Sequence, residues 1–421
     1  MVSLSSEIFK YWIVKRDPDR IKIVFQDGRE LEAPVDHSRE PLPTEIAYAI
    51  LDWERWWIAN VTKRGHILIA EVYNPKLDDP TRGRPSVYLD QNHWRSVAQT
   101  RVDTSQIKSG AEARSAQRVA DLAQDLGIIL PLSSGHVRET APLFGDLRYN
   151  VGATMASLSA GWQLRHPSAV WMMEAIALVC ELTSQPVPPY CEREAVTLEP
   201  GAMNQQAAEV NQPAPTQMQQ FIDLLGAPSV VLEMLIDPES VKAADLAEWT
   251  TGNQRITEYV SKYSDRSSAR RRAAIDAFWR SNFAVIRQAG AMVGTDVEHL
   301  LETDTSVLYR ALQRQPMLRF VGGLHIMRYM DRVTQWKPND LTDIMFLGCA
   351  AGYCDYVVAE RHTGEQLRSL QRAKGESVTV FTSIDGLRDQ LDALDIQTDS
   401  ERANARSESL GLASRKSTEH A

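Results

Sequence analysis

The chain has 421 residues, more than one hydrophobic core usually organises, so about two domains are expected, with room for an insertion. Its 43% hydrophobic and 24% charged content is ordinary for a globular protein, and four irregularly spaced cysteines make no disulfide framework, give little support to a zinc site and read as buried thiols. A net charge of −9 argues against a broad basic face that coats nucleic acid, although a carboxylate-built catalytic pocket is itself acidic and reverses its field on binding divalent ions.

Residues 1–80 read as a small, mostly β module. Ile21–Phe25 and Glu30–Ala33 flank an Asp27-Gly28 turn, a hairpin signal. The spacing of Ala47, Ile50, Leu51 and Trp57 predicts a helix over Pro43–Trp57, and His66–Tyr73 reads as a further strand. Trp53, Trp56 and Trp57 are expected in the core of this module. The Pro-, Asp- and Gly-rich stretch Asn74–Pro85 marks a linker.

The texture then changes. Val87–Leu89 is a short apolar strand ending in Asp90, and helix-like sequence follows from Trp94. The helical pattern Ala111–Leu126 leads into a second apolar strand, Ile128–Leu132, and then another helix start. Strand and helix alternating in this way predict a parallel α/β sheet. Residues 195–215 read as a mobile loop, and Gln217–Gln335 as almost entirely helical. The α/β texture returns with a helix over Asp340–Gly352, strand Tyr356–Ala359, helix His362–Ala373, strand Val378–Phe381 and a closing helix Ile384–Leu394. The polar residues 396–421 read as a disordered tail.

No apolar run spans a membrane. Ala169–Cys180 and Ile344–Val358 are short and contain Glu174 and Asp355, and residues 1–20 lack a signal-peptide core, so a cytoplasmic protein is expected.

In a parallel α/β sheet the ligand crevice lies beyond the carboxyl ends of the strands. Asp90 follows the first strand, Glu139 is placed at the start of the helix after the second, Asp343 lies in the N-terminal turn of the helix before Tyr356–Val358, and Glu360 follows that strand. Four acids at equivalent places suggest one pocket. Carboxylates at close range raise one another's pKa unless a cation compensates them. Oxygen-only ligation suits Mg²⁺ or Mn²⁺, ions that activate water and hold a scissile phosphate. Each acid also has a plainer role: Asp90 as a helix cap, Glu139 as a first-turn charge, Asp340 or Asp343 as an N-cap, and Asp355 as a turn acceptor. His93 and His136 lie near these acids, as catalytic candidates or as partly buried structural side chains.

Val87–Trp94 resembles the opening strand and first acid of PIN domains, with Asn92 two residues past Asp90. Leu130–Glu139 looks like the second PIN motif, Asn339–Ala351 the third and Tyr353–Glu360 the fourth, while Val378–Leu387 is similar to the last strand and helix. The resemblance implies an α/β fold, a PIN-like three-layer α/β/α sandwich with a central parallel sheet, over residues 84–395 with a helical insertion at about 195–335. It implies Mg²⁺- or Mn²⁺-dependent hydrolysis of phosphodiester bonds, RNA before DNA. Asp90, Glu139 and Asp343 would be metal ligands, Glu360 or Asp355 a further contributor, Asp340 the understudy to Asp343, and Asn92 a phosphate contact. PIN domains often pair through their helices, so a homodimer is expected, with a protein partner at the N-terminal module as a second partner class.

The sequence departs from the family in its last strand, where Ala359 replaces a small hydroxyl residue and Arg361 stands where many relatives place the acid. This leaves an alternative open: a PIN-like scaffold that no longer cuts and serves as a binding module. A haloacid-dehalogenase-like phosphatase is disfavoured, because Asn92 occupies the place of its second Asp.

Overall fold

Alternating apolar and polar residues between Phe9 and Glu71 build a six-stranded antiparallel sheet, the largest in the protein. A computed structural model describes residues 8–16, 19–34, 45–74, 76–107, 109–204, 231–232, 234–236, 246–263, 267–333, 335–398 and 401. The sheet contains β1 (Phe9–Arg16), β2 (Asp19–Phe25), β3 (Glu30–Pro34), β4 (Ile46–Asp52), β5 (Trp57–Thr62) and β6 (Ile67–Glu71), in the order β3-β2-β1-β4-β5-β6. The β2–β3 hairpin pairs Ile23 with Leu31 and turns through Gly28 at φ +83°.

The helix expected over Pro43–Trp57 is not formed. Its described part is a β-hairpin, with Leu51 opposite Ile58 and Ala49 opposite Asn60. Ala49 and Leu51 also fit a strand that buries one face, Ile46 joins them across a register shift between Ile46 and Tyr48, and pairing with β1 and β5 selects the strand over the helix. Trp56 makes the turn at φ +56°, and its carbonyl accepts from Val72 N at 2.8 Å. Trp53 and Trp56 are buried, edge to face at 5.4 Å, and Trp12 meets Trp53 at 5.3 Å. Trp53 and Trp56 are core, as expected, whereas Trp57 is half-buried and outside the core cluster.

The remainder is mixed α/β. A three-stranded parallel sheet has β10 (Tyr356–Val358) at its centre, flanked by β7 (Val87–Leu89) and β11 (Val380–Phe381). Beyond β7 the chain at 128–132 is extended but pairs only through the bridges Ser86–Ile129 and Leu132–Gln163, because Pro131 has no N–H to donate. Next to it lies a two-stranded antiparallel ladder, β8 (Gln163–Leu164) with β9 (Val196–Thr197). Neither short strand carries a readable periodicity. Of the loop expected at 195–215, residues 205–215 lie outside the described residues, as does most of the expected tail; Ile396 packs on the core.

Helices cover both faces of the parallel sheet. Val87, Leu89 and Val358 point into a cluster with α1 (Gln91–Val102), α2 (Gly110–Gln124) and α13 (Ile384–Ala393). Tyr88, Val357 and Val380 point the other way, into a cluster with α5 (Pro167–Leu182), α10 (Pro316–Met330) and α11 (Pro338–Tyr353). A strand apolar on both sides is what a doubly covered parallel sheet requires. Between α5 and α11 in sequence, the described residues include α6 (Ala247–Ser261), α7 (Ser267–Ser281), α8 (Phe283–Met292) and α9 (Thr305–Leu312). The close crossing of α10 and α11 depends on Gly348, where a Cβ would sit 2.6 Å from Val321 Cγ2. Among the described residues no helix is long and apolar enough to cross a membrane.

The antiparallel sheet is pinned to this body at the end of β6. Glu71, itself buried, receives Trp162 Nε1 at 2.6 Å and Arg84 Nη2 at 2.9 Å, while Glu71 N donates to Ala160 O at 2.8 Å. The buried Glu174, the charge inside the apolar α5, accepts from Met317 N and Leu318 N, both at 2.7 Å, and from Tyr353 Oη at 2.8 Å. It thereby caps the N-terminus of α10 from another helix, which explains a carboxyl in an apolar run.

Candidate active site

The strand β7 ends at Leu89, and the chain must leave the sheet for α1. Asp90 makes that transition as the N-cap, with extended backbone and its side chain accepting from Gln91 N at 2.8 Å. Beside it β10 ends at Val358, and Glu360 is the N-cap residue of α12 (Arg361–Ala373). Glu360 N donates to Asp90 Oδ2 at 3.3 Å, so parallel pairing sets the first and last acids next to one another.

Glu139 enters from α3 (Ser134–Thr140) and Asp343 from α11. Neither opens its helix. Ser133 caps α3 and leaves Glu139 next to the end, while Pro338 begins α11 and Asp340 occupies its first turn, leaving Asp343 in the second. Both helices nonetheless deliver their acid to the end of the parallel sheet where Asp90 stands.

The charges of these acids act on one another. Asp343 is pushed up to about 7 by burial, then by Asp90, Glu139, Asp340 and Glu360. Glu139 is also pushed up to about 7, by the surrounding protein first and by Asp90 and Glu360 next, with Arg138 pulling it down. Its side chain still opens to water, which tempers the desolvation and leaves the direction. Asp90 is raised by burial and held back by the two backbone N–H groups it receives. Asp90, Glu139, Asp343 and Glu360 therefore form one cluster of acids, an acidic recess in the electrostatic sense, each within reach of another's charge.

The other expected residues are placed differently. Asn92 Nδ2 donates to Glu360 Oε1, so it engages an acid of the recess. Asp340 pairs with Arg328 and accepts from Lys337 N at 2.6 Å, roles that close the start of α11. Asp355 precedes β10, at the opposite end of the sheet, and accepts from Ser86 N and Ser86 Oγ, both at 2.8 Å. It is a strand-entry acceptor and not a member of the recess.

His136 is structural. Ser133 N donates to Nδ1 at 3.1 Å, so the proton sits on Nε2, which donates to Leu89 O at 2.8 Å; burial pushes its pKa down to about 4. His93 is likewise lowered by burial and bonds the Ala359 carbonyl, tying α1 to the end of β10. Arg138 escaped sequence reasoning: it donates to Thr342 Oγ1 and so joins α3 to α11, a pairing across 204 positions that no local pattern announces.

The donor set suits a hard divalent cation in its chemistry, being all oxygen, anionic and insufficiently compensated by the protein. Among the described residues, no three His, Cys, Asp or Glu side chains close on a single point as ligands. The four cysteines are all free thiols; Cys180, Cys349 and Cys354 are buried and Cys191 is half-buried. No protein-family model, curated protein or solved structure matches the chain.

Proposed function

We infer that the protein is a divalent-cation-dependent nuclease that hydrolyses phosphodiester bonds, RNA in preference to DNA, on a PIN-like three-layer scaffold. One observation supports this reading: burial first, and then the charge of Asp90 and its neighbours, pushes Glu139 and Asp343, from distant parts of the chain, up to about 7. A fold tolerates such repulsion most readily where a ligand relieves it. The order of the extended segments supports the scaffold, with β7 between β10 and the segment at 128–132 and helices on both faces.

Asp90, Glu139 and Asp343 would hold Mg²⁺ or Mn²⁺, with Glu360 alongside. The bound ion supplies charge neutralisation for the phosphate and lowers the pKa of a coordinated water. Asp90 is oriented for ligation by the N–H groups of Gln91 and Glu360, which leave its remaining lone pairs free.

The alternative, a scaffold that binds without cutting, draws on the engagement of Glu360 by Asn92 and on carboxylates that face one recess without closing on a point. Cleavage of mixed RNA and single-stranded DNA pools with Mn²⁺, Mg²⁺ or EDTA, by wild type and Asp90→Asn, separates the two. Metal-dependent cutting lost in a folded Asp90→Asn protein supports the nuclease. No cutting by either protein, with no Mn²⁺ heat by calorimetry, favours the binding module.

A further inference from the structure

An acidic recess repels the polyanion it is to cut. Ions neutralise its centre, but the phosphates flanking the scissile bond need cations of the protein itself. Arg138, on the recess wall, already bonds Thr342. The structure offers another place. A shallow groove, nearly flat to solvent, lies at the start of α12 and is lined by Met327, Arg361, His362, Glu365 and Gln366. Arg361 directly follows Glu360, so the groove adjoins the recess.

The acids nearest to Arg361 in sequence are both turned elsewhere. Glu360 accepts from Asn92, and Glu365, one helical turn on, pairs with Arg368 at 2.9 Å. Among the described residues Arg361 has no ion-pair partner, and it is exposed. His362 Nε2 lies 3.3 Å from Gln366 Nε2, which places an imidazole and an amide on the same wall. A guanidinium left free between two occupied carboxylates suits a phosphate, which it meets with a planar fork of donors.

We propose that this groove carries the phosphodiester backbone of a single-stranded nucleic acid beside the recess, and that Arg361 grips the phosphate next to the scissile one. The proposal rests on the nuclease reading for its purpose, but its test does not depend on cutting. Arg361 is a positioning residue: it touches a phosphate that does not react.

The test is binding of a short fluorescein-labelled oligouridylate by the full chain in Ca²⁺, across a salt titration, for wild type, Arg361→Ala and Arg361→Lys. Arg361→Ala is expected to weaken binding about tenfold at low salt and to reduce the slope of log K against log salt by about one. Arg361→Lys keeps the slope and recovers part of the affinity. An Arg361→Ala protein with wild-type affinity, or with an unchanged salt slope, overturns the proposal, and so does wild type that binds no oligonucleotide. Cleavage in Mn²⁺ is read separately. If wild type cuts and Arg361→Ala shows an unchanged KM, the groove is wrong and the nuclease stands. If wild type binds through Arg361 and cuts nothing, the nuclease reading falls and the groove remains.

Discussion

The backbone N–H of Glu360 donates to Oδ2 of Asp90 at 3.3 Å, although 270 positions separate the residues. The contact follows from the parallel pairing of Val358 with Leu89, which brings the ends of β10 and β7 level. It fixes the Asp90 carboxylate on two sides, since Gln91 N holds the other oxygen.

Asp90→Asn should therefore abolish metal-dependent cutting while leaving the fold intact. Asn caps a helix as well as Asp does, so the loss of stability should stay within about 1 kcal/mol. Cleavage assays beside urea unfolding check this, and retained cutting would remove Asp90 from the active site.

Asp343 is pushed up to about 7 in the folded chain, by burial first and by neighbouring acids next, against 3.8 as its ordinary value, and Glu139 shifts in the same direction. Between those limits the folded state binds more protons than the unfolded one, so stability falls as pH rises from about 4 to about 7. Glu174, also pushed up to about 7 by burial, contributes in the same direction. Mn²⁺ favours ionised carboxylates and should restore stability above about pH 7, by an amount that Asp343→Asn reduces and Glu174→Gln does not. Melting temperatures on both sides of this window, with and without Mn²⁺, provide the measurement. A Mn²⁺ response that survives Asp343→Asn would place the ion elsewhere.

Glu174→Ala should be among the most damaging core substitutions. It strands the amides of Met317 and Leu318 and the Tyr353 hydroxyl away from water. A cost of about 3 kcal/mol or more follows from leaving such groups unpartnered, while Glu174→Gln, which keeps an acceptor oxygen, should cost less. Equal losses for the two substitutions would show that the hydrogen bonds are not what Glu174 contributes.

Gly161→Ala tests how firmly the antiparallel sheet is pinned. Gly161 has φ +89°, and a Cβ there would stand 2.7 Å from Glu71 O. Strain and the displaced β6 together should cost about 1–3 kcal/mol. Proteolysis of residues 8–74 should quicken in step, as the Glu71–Arg84–Trp162 contact loosens. An unchanged digestion rate would mean that the sheet is held by other contacts.

What was legible locally was considerable. Val87–Leu89 and Tyr356–Val358, too short for periodicity, stand out as apolar on both faces, and the structure forms both as strands over those residues. The helices from Gly110, Pro338 and Arg361 begin within two residues of their expected starts. Asp90 and Glu360 could be placed at strand ends because an acid directly following an apolar strand has few other places to go. Ile46–Asp52 forms a strand although Ala47, Ile50, Leu51 and Trp57 have helical spacing, because pairing with β1 and β5, which no local pattern announces, decides its conformation. Asp340, Asp343 and Asp355 are likewise alike as sequence. Arg328 draws Asp340 aside, Ser86 draws Asp355 to the far end of the sheet, and Asp343 is left facing Asp90. Where a short apolar strand ends in an acid or a helix begins, as at Asp90 and Glu360, the signal is short-range and sequence alone determines it. Which carboxylate finds a partner and which remains uncompensated depends on residues brought close by packing, and only the tertiary structure decides it.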